Sequence, residues 1–418
     1  MQPCGSSTGR MLPRLWISLA LTALAASGIA ARADVASDTA AAILVFPKLL
    51  VDTSNPPVTP RGRVDTLVRV SNTSTQPISV RCFYVDATPL CSNATGSCLA
   101  NPVTCTGICQ PHWQETDFFV NITARQPIGW LVSQGAADCT PTTPSGTPCF
   151  PLTDSRPGRN GQKNSGSLIP PAPEDPFIGE LKCVAVDRNG VPVERNDLKG
   201  EVEITRVQDG TSDVEGYNAI GIAAIPGTNN GDNVLVLGGN VCNAGVQAQT
   251  PCSGPADCPG GSCVSAGEYN GCPNVLILDH FFDGADDPVT GQAVTTDLTL
   301  VPCSEDFLTQ TPITTSVQFL VFNEFEQRLS TSRAVTCFDE RPLWSIIDTR
   351  TPERSIFSAA VQGTLTGQTR IRGVAVQDQD YGHALLGVAE EFRQGGGTAA
   401  FNLHFNGSRP QSDFVYLP

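Results

Sequence analysis

Residues 65–83 read DTLVRVSNTSTQPISVRCF, and residues 316–338 read SVQFLVFNEFEQRLSTSRAVTCF. Each is an apolar run closing on Val-x-Asn, then a polar stretch, then a second run closing on Cys-Phe. In ISVRCFYV, Ile78, Val80, Cys82 and Tyr84 share one face while Ser79 and Arg81 point the other way. Such alternation is that of a strand buried on one side. Asn72 to Pro77 reads as a turn, because Asn, Ser and Thr bond their own backbone and Pro fixes φ. The two stretches therefore read either as equivalent hairpins in two copies of a duplicated β module or as a chance likeness between two ordinary hairpins.

Around them, short β-rich runs such as Ile43–Phe46, Leu181–Val186, Val202–Thr205, Val275–Leu278, Leu298–Val301 and Ile371–Val376 are separated by Gly, Pro and Asn-Gly turns. That pattern predicts a mainly β protein of antiparallel sandwich, immunoglobulin-like domains. Only Phe325–Leu329 and Leu385–Phe392 suggest short helices. Residues 151–176, PLTDSRPGRNGQKNSGSLIPPAPEDP, have linker composition. The expected organisation is a first domain over 34–150, a linker over 151–176, and a β-rich unit over 177–418 that either divides near 310 or is one larger intertwined sandwich.

The first 33 residues read as a leader. Pro13 and Arg14 precede the apolar run LWISLALTALAASGIAA, which ends at Ala31-Arg32-Ala33, an A-x-A cleavage signal. The run is shorter than the ~20 residues that span a bilayer, and no later segment is long and apolar enough. Export to the medium, the periplasm or the cell surface follows. Losing Arg10, Arg14 and Arg32 leaves 23 basic against 41 acidic residues, a balance of −18. So acidic a chain repels nucleic acid and anionic lipid, which leaves a protein or a carbohydrate as the expected partner. Only four lysines occur, at 48, 163, 182 and 199.

Fifteen cysteines follow the leader, and in an exported chain they read as a disulfide framework. Cys91, Cys98, Cys105 and Cys109 form one dense insert, and Cys242, Cys252, Cys258 and Cys263 another. Neither has the apolar residues to hold itself together, so two bridges are expected in each, with three connectivities open. Cys139 and Cys149 suggest a further small loop. Fifteen is odd, and the unpaired cysteine is expected among Cys82, Cys183, Cys272, Cys303 and Cys337.

The turn SNTSTQPISV (71–80) resembles the N-T-x-x-x-P-x-x-V hairpin of bacterial immunoglobulin-like modules, and PADCPGGSC (255–263) is similar to the cysteine-rich loops of secreted proteins from environmental bacteria. YNAIGIAA (217–224), GHALLGVAEEF (382–392) and LTLVPCSEDF (298–307) resemble stretches of uncharacterised exported bacterial proteins. The resemblance implies a secreted β-rich protein and carries no activity.

Motifs for chemistry are sparse. Gly5-Ser6-Ser7-Thr8-Gly9 matches a nucleophile elbow but precedes the leader's apolar run, with no strand before it. His112, His280, His383 and His404 are the only histidines, and no Cys-x-x-Cys pair exists for a zinc ribbon. Asp378, Asp380 and His383 offer an oxygen-and-nitrogen metal set, or else a polar hairpin turn. Asp279, Asp283, Asp286 and Asp287, with His280, crowd behind the apolar strand VLIL; oxygen ligands so placed suit a structural Ca²⁺, or else make a solvated acidic loop. Asp209, Asp213 and Glu215 are a weaker version. Trp113, Trp130, Trp344, Phe118, Phe119, Phe281 and Phe282 suit either a core or a carbohydrate platform. In a strand, one ring of each Phe-Phe pair must face away from its sheet's own core. The expected function is a non-catalytic structural, adhesive or binding protein. A polysaccharide hydrolase and a calcium-dependent binding module are the alternatives.

Overall fold

The computed structural model describes residues 35–418 apart from 94–95, 101–102, 139–148, 151–167, 209, 249–251, 253, 347–353, 375–382, 396 and 410. The expected leader over 1–33, and most of the expected linker and of the Cys139–Cys149 loop, lie outside the described residues.

Eighteen strands form four large sheets. In chain order they are β1 (Ile43–Val51), β2 (Arg63–Asn72), β3 (Ile78–Asp86), β4 (Gln114–Ile122), β5 (Pro127–Leu131), β6 (Phe177–Val186), β7 (Leu198–Gln208), β8 (Thr211–Asn218) and β9 (Ile220–Ile222). The second nine are β10 (Pro273–Phe281), β11 (Val294–Pro302), β12 (Thr314–Asn323), β13 (Arg328–Thr336), β14 (Asp339–Pro342), β15 (Thr366–Val374), β16 (Leu385–Arg393), β17 (Thr398–Asn402) and β18 (His404–Ser408). The first nine make sheets of order β9-β1-β6-β3-β4 and β8-β7-β2-β5. The second nine make β18-β10-β15-β12-β13 and β17-β16-β11-β14. Adding nine to every label of the first pair reproduces the second, so the chain is an internal duplication. Matching residues mark it. Leu198-Lys199-Gly200 opens β7 and Leu385-Leu386-Gly387 opens β16; Tyr217-Asn218 closes β8 and Phe401-Asn402 closes β17. The Ala219 N–H donates to the Gly200 carbonyl at 2.9 Å, and its counterpart, the Leu403 N–H, donates to the Gly387 carbonyl at 3.3 Å.

The two stretches that suggested the duplication are not its equivalent parts. Residues 65–83 run through β2 and β3, which lie in different sheets, whereas residues 316–338 run through β12 and β13, which pair side by side. The true counterpart of β12–β13 is β3–β4, paired from Ile78↔Ile122 to Asp86↔Gln114. The likeness comes from shared local chemistry. Asn72 and Asn323 each end a strand and fold back on the following backbone, accepting from Ser74 N (3.0 Å) and from Phe325 N (3.0 Å) and Gln327 N (2.9 Å).

Antiparallel pairing dominates, as expected, but the strand order is not immunoglobulin-like. In that fold the last two strands are hydrogen-bonded neighbours in one sheet. Here the last two strands, β8 and β9, lie in opposite sheets, and β7 pairs with β2 and β8. Nor do the sheets divide at 150 or 177: β6 lies between β1 and β3, and β7 between β2 and β8, so residues on both sides of 151–176 build the same layers. A division near 310 would likewise fall inside the second repeat. Residues Ala33–Pro418 form one compact unit.

Four layers stack. β2 buries alternate residues, Val64, Thr66, Val68, Val70 and Asn72, as an outer sheet should. β1 and β6 are buried at every position, and β16 through its first six. On β6, Leu181 and Cys183 face the outer sheet of their own repeat, as do Cys82 and Tyr84 beside them on β3, where Trp130 Nε1 donates to Tyr84 Oη at 2.7 Å. Glu180 and Lys182 face the other way, toward the second repeat. On β16, Leu385 and Ala389 belong to the second repeat's own core, and Leu386, Val388 and Glu390 face the first repeat. The inner sheets thus carry charge on a face that is also covered. Leu385–Phe392 is strand rather than helix for this reason: a strand buried on both faces lacks alternation. Phe325–Leu329, the other suggested helix, is a turn leading into β13.

Candidate functional site

Six disulfides join described cysteines. Cys82–Cys183 ties β3 to β6, and Cys272–Cys303 ties the approach to β10 to the exit of β11. The insert between β3 and β4 is closed by Cys91–Cys105 and Cys98–Cys109, and the insert between the repeats by Cys242–Cys258 and Cys252–Cys263. Both use first-to-third, second-to-fourth pairing. Cys337, from the expected set, is free and buried.

Where the repeats meet, a cleft of about 1040 Å³ opens. Arg61, Arg206 and Asp213 line it from the first repeat. Asp297, Glu340, Arg341, Phe392 and Arg393 line it from the second, and Leu99 and Trp113 from the first cysteine-rich insert and its return. Its floor is a charge network. The Lys48 ammonium sits between Glu390 and Glu340, the latter at 2.7 Å, with both Lys48 and Glu390 side chains fully buried. Arg206 Nη2 reaches Glu390 at 2.9 Å and its Nε reaches Glu215 at 3.0 Å. Arg61 pairs with Glu340 and stands 3.9 Å from Asp297. Three cations of the first repeat therefore meet three carboxylates of the second. The Tyr217 hydroxyl holds the Lys48 backbone, accepting its N–H at 3.0 Å and donating to its carbonyl.

The pairing fixes protonation. Burial alone would raise the Glu390 carboxyl, but Lys48 and Arg206 outweigh it and hold it well below the ordinary carboxylate range. Glu340 is lowered too, Arg61 and Lys48 overcoming its burial. Asp297, farther from a cation, is pushed by burial to about 6. Above this floor, Arg341 pairs with Asp339 at 2.7 Å, Arg393 with Asp287 at 3.0 Å, and the Arg206 guanidinium lies over the Phe392 ring at 5.4 Å. Four arginines and four acids (Asp213, Asp297, Asp339, Glu340) line the cleft, so its charge is balanced.

The acidic stretch singled out for calcium is spread out. Asp279 accepts from Gln368 Nε2 at 3.0 Å. Asp287 accepts from the Val289 N–H at 2.7 Å and from Arg393, so it is a turn cap with its own cation. Asp283 lies partly buried and Asp286 exposed. Among the described residues, no group of carboxylates, histidines or cysteines close enough to share an ion includes Asp279, Asp283, Asp286 or Asp287. His280 is buried against Phe282 and Phe357 and bonds Thr369 Oγ1 at 2.8 Å; burial lowers its pKa to about 4. His383 is buried, while Asp378, Asp380 and Asp209 lie outside the described residues. Of the aromatics, Trp130, Phe118 and Phe282 are core, and Phe119 and Trp344 are exposed. Phe119 lies under the Arg81 guanidinium. Of the aromatics singled out from the sequence, Trp113 lines the cleft, beside Phe338 and Phe392.

Sequence reasoning missed the network. Its one signal was Lys48 inside the apolar run Ile43–Val51, in a chain with four lysines. No family model, curated protein or solved structure matches the chain.

Proposed function

We propose that the protein is an exported, non-catalytic binding protein whose inter-repeat cleft takes a polar ligand without net charge, an oligosaccharide being the class that fits best. The carrying observation is that the cleft's charges are already matched. Lys48, Arg61 and Arg206 neutralise Glu340 and Glu390, so these carboxylates are committed to the fold. The ligand then meets arginine and aspartate donors and acceptors beside Trp113 and Phe392, a mix suited to hydroxyls and sugar faces. The disulfides support export, since such bridges persist in oxidising compartments. No helix among the described residues is long and apolar enough to cross a membrane.

A polysaccharide hydrolase is the second reading, favoured by one observation. Asp297, raised to about 6, has the protonation of a general acid. Against that reading, Asp339 and Glu340 in the cleft are paired with cations, and Asp213 is held by the Thr398 N–H and hydroxyl. The test is a panel of oligosaccharides titrated into the mature chain, alongside an assay for new reducing ends. Saturable binding that weakens about tenfold or more in Trp113→Ala and Arg341→Ala, without cleavage, supports the proposal. Absence of binding across the panel overturns it, and so does cleavage abolished by Asp297→Asn.

A further inference from the structure

A second cluster lies beside the cleft, and its chemistry is the reverse of the floor's. Asp86 ends β3. His112 follows the return of the first cysteine-rich insert, three residues after the bridged Cys109. Glu174 lies in the approach to β6. One ligand atom from each lies within 4.8 Å of the other two, and His112 Nδ1 stands 3.9 Å from Asp86 Oδ2. Asp86 is 1% exposed. Its Oδ2, His112 Nδ1 and Glu174 Oε1 are all buried atoms without a hydrogen-bond partner. Crowding these ligand atoms together without a lysine or arginine among the described residues to pair them is costly: burial, with Glu174 opposite, pushes the Asp86 carboxyl up to about 7.

At the cleft floor, Lys48 fills the space between Glu340 and Glu390. Here two carboxylates converge with an imidazole, and no lysine or arginine among the described residues forms an ion pair with Asp86 or Glu174. The ligands are also held in place. Asp86 Oδ1 accepts the Thr88 N–H at 2.8 Å, the His112 N–H donates to the Thr88 carbonyl at 3.0 Å, and the Ile178 N–H donates to Thr88 Oγ1 at 3.1 Å. Asp175, next to Glu174, accepts the Thr53 N–H at 3.1 Å. Thr88 thus orients two of the three groups, and Asp175 anchors the segment that carries the third.

We propose that Asp86, His112 and Glu174 form a divalent metal site, with Zn²⁺ the ion it selects. One imidazole nitrogen and two carboxylate oxygens suit zinc, whereas an all-oxygen set suits calcium. Tetrahedral ligands at zinc distances stand roughly 3.4 Å apart, so the 3.9 Å separation closes with a small side-chain movement. Three protein ligands leave a fourth position open, and the partly exposed His112 ring puts it near solvent. The ion would staple the insert to β3 and to the approach to β6, and so fix Trp113, the next residue after His112, at the cleft.

The test is calorimetric titration of the chelator-treated mature chain with ZnCl₂, and separately with MnCl₂ and CaCl₂. The expected result is one Zn²⁺ per chain and a raised melting temperature. His112→Ala and Glu174→Gln, both partly exposed positions that leave the fold intact, should each weaken Zn²⁺ binding about tenfold or more. Cobalt substitution should give the visible absorption of a four-coordinate ion in the wild type and lose it in both variants. No stoichiometric Zn²⁺ binding overturns the proposal, as does binding unchanged in the two variants or a clear preference for Ca²⁺.

Discussion

Lys48 on β1 and Glu390 on β16, 342 residues apart, form an ion pair from which both side chains exclude water entirely. Isolated charges in such a place cost several kcal/mol each, and the pair survives because Glu340 and Arg206 complete it, while the Tyr217 hydroxyl holds the Lys48 backbone. Removing one partner leaves the other charge buried and uncompensated. Lys48→Met is therefore expected to destabilise the chain by about 3–5 kcal/mol. Lys48→Met with Glu390→Gln should cost less than the two single changes together, since the double variant removes both charges. Urea denaturation followed by fluorescence measures all three. Additive losses would show that the pair contributes nothing across the inter-repeat surface.

Cys337 should be silent until the protein unfolds. It is buried beside Glu305, and burial pushes its thiol pKa far up, so the reactive thiolate is scarce. Iodoacetamide at pH 8 should leave it unmodified in native protein. In denaturant without reductant, Cys337 should be the one cysteine labelled among those at described positions. Peptide mapping by mass spectrometry reads this directly. Labelling at Cys91, Cys98, Cys105 or Cys109 would contradict the bridges described.

Residues 65–83 made the duplication visible and also misplaced it. Strand content, the antiparallel habit, the two braced inserts and an odd cysteine were all legible, because alternation, turn residues and cysteine spacing are local signals. The layer order was not. Lys182 lay in an expected strand, Glu180 just ahead of it and Glu390 in a suggested helix, and nothing marked them as buried, yet each faces a second buried layer where an opposite charge meets it. Hydropathy cannot separate a charge in water from a charge in a buried pair. The better register lay in Leu198-Lys199-Gly200 and Leu385-Leu386-Gly387, short matches whose significance rests on strand pairing 187 positions away. Asp86, His112 and Glu174, scattered over 89 positions, carried no spacing signal at all.

Gly200 and Gly387 hold equivalent places but should tolerate alanine differently. A Cβ at Gly200 would lie 2.5 Å from the end of the buried Phe46 ring, a side chain that must repack but leaves the strand ladder in place. A Cβ at Gly387 would lie 2.6 Å from the Thr299 backbone oxygen, which belongs to the β11–β16 ladder and cannot move without disturbing it. Overpacking typically costs 1–3 kcal/mol. Gly387→Ala is expected near about 3 kcal/mol and Gly200→Ala near about 1 kcal/mol. Melting temperatures of the two variants give the order, and a larger loss at Gly200 would contradict it.

Asp413, in the C-terminal strand Asp413–Tyr416, should make the protein lose stability as pH rises through the mildly acidic range. Its side chain is fully buried, accepting from Ser304 Oγ at 2.9 Å and the Ala384 N–H at 3.1 Å, while Oδ2 has no hydrogen-bond partner. Burial holds its pKa up at about 6 against 3.8 for a free aspartate. Between those values the folded chain binds the extra proton, so stability falls with rising pH. The contribution is whole below about 3.8 and lost above about 6, and the gap between those values bounds it at about 3 kcal/mol. Glu340 and Glu390 act in the opposite sense: both are lowered, so their contribution disappears as pH falls below the ordinary glutamate range. Asp413→Asn keeps the shape and removes the titration. Denaturation curves at pH 4, 5, 6 and 7 should show a smaller decline in the variant than in the wild type. An unchanged decline would mean that the buried carboxyl is already ionised, its charge met by Arg409.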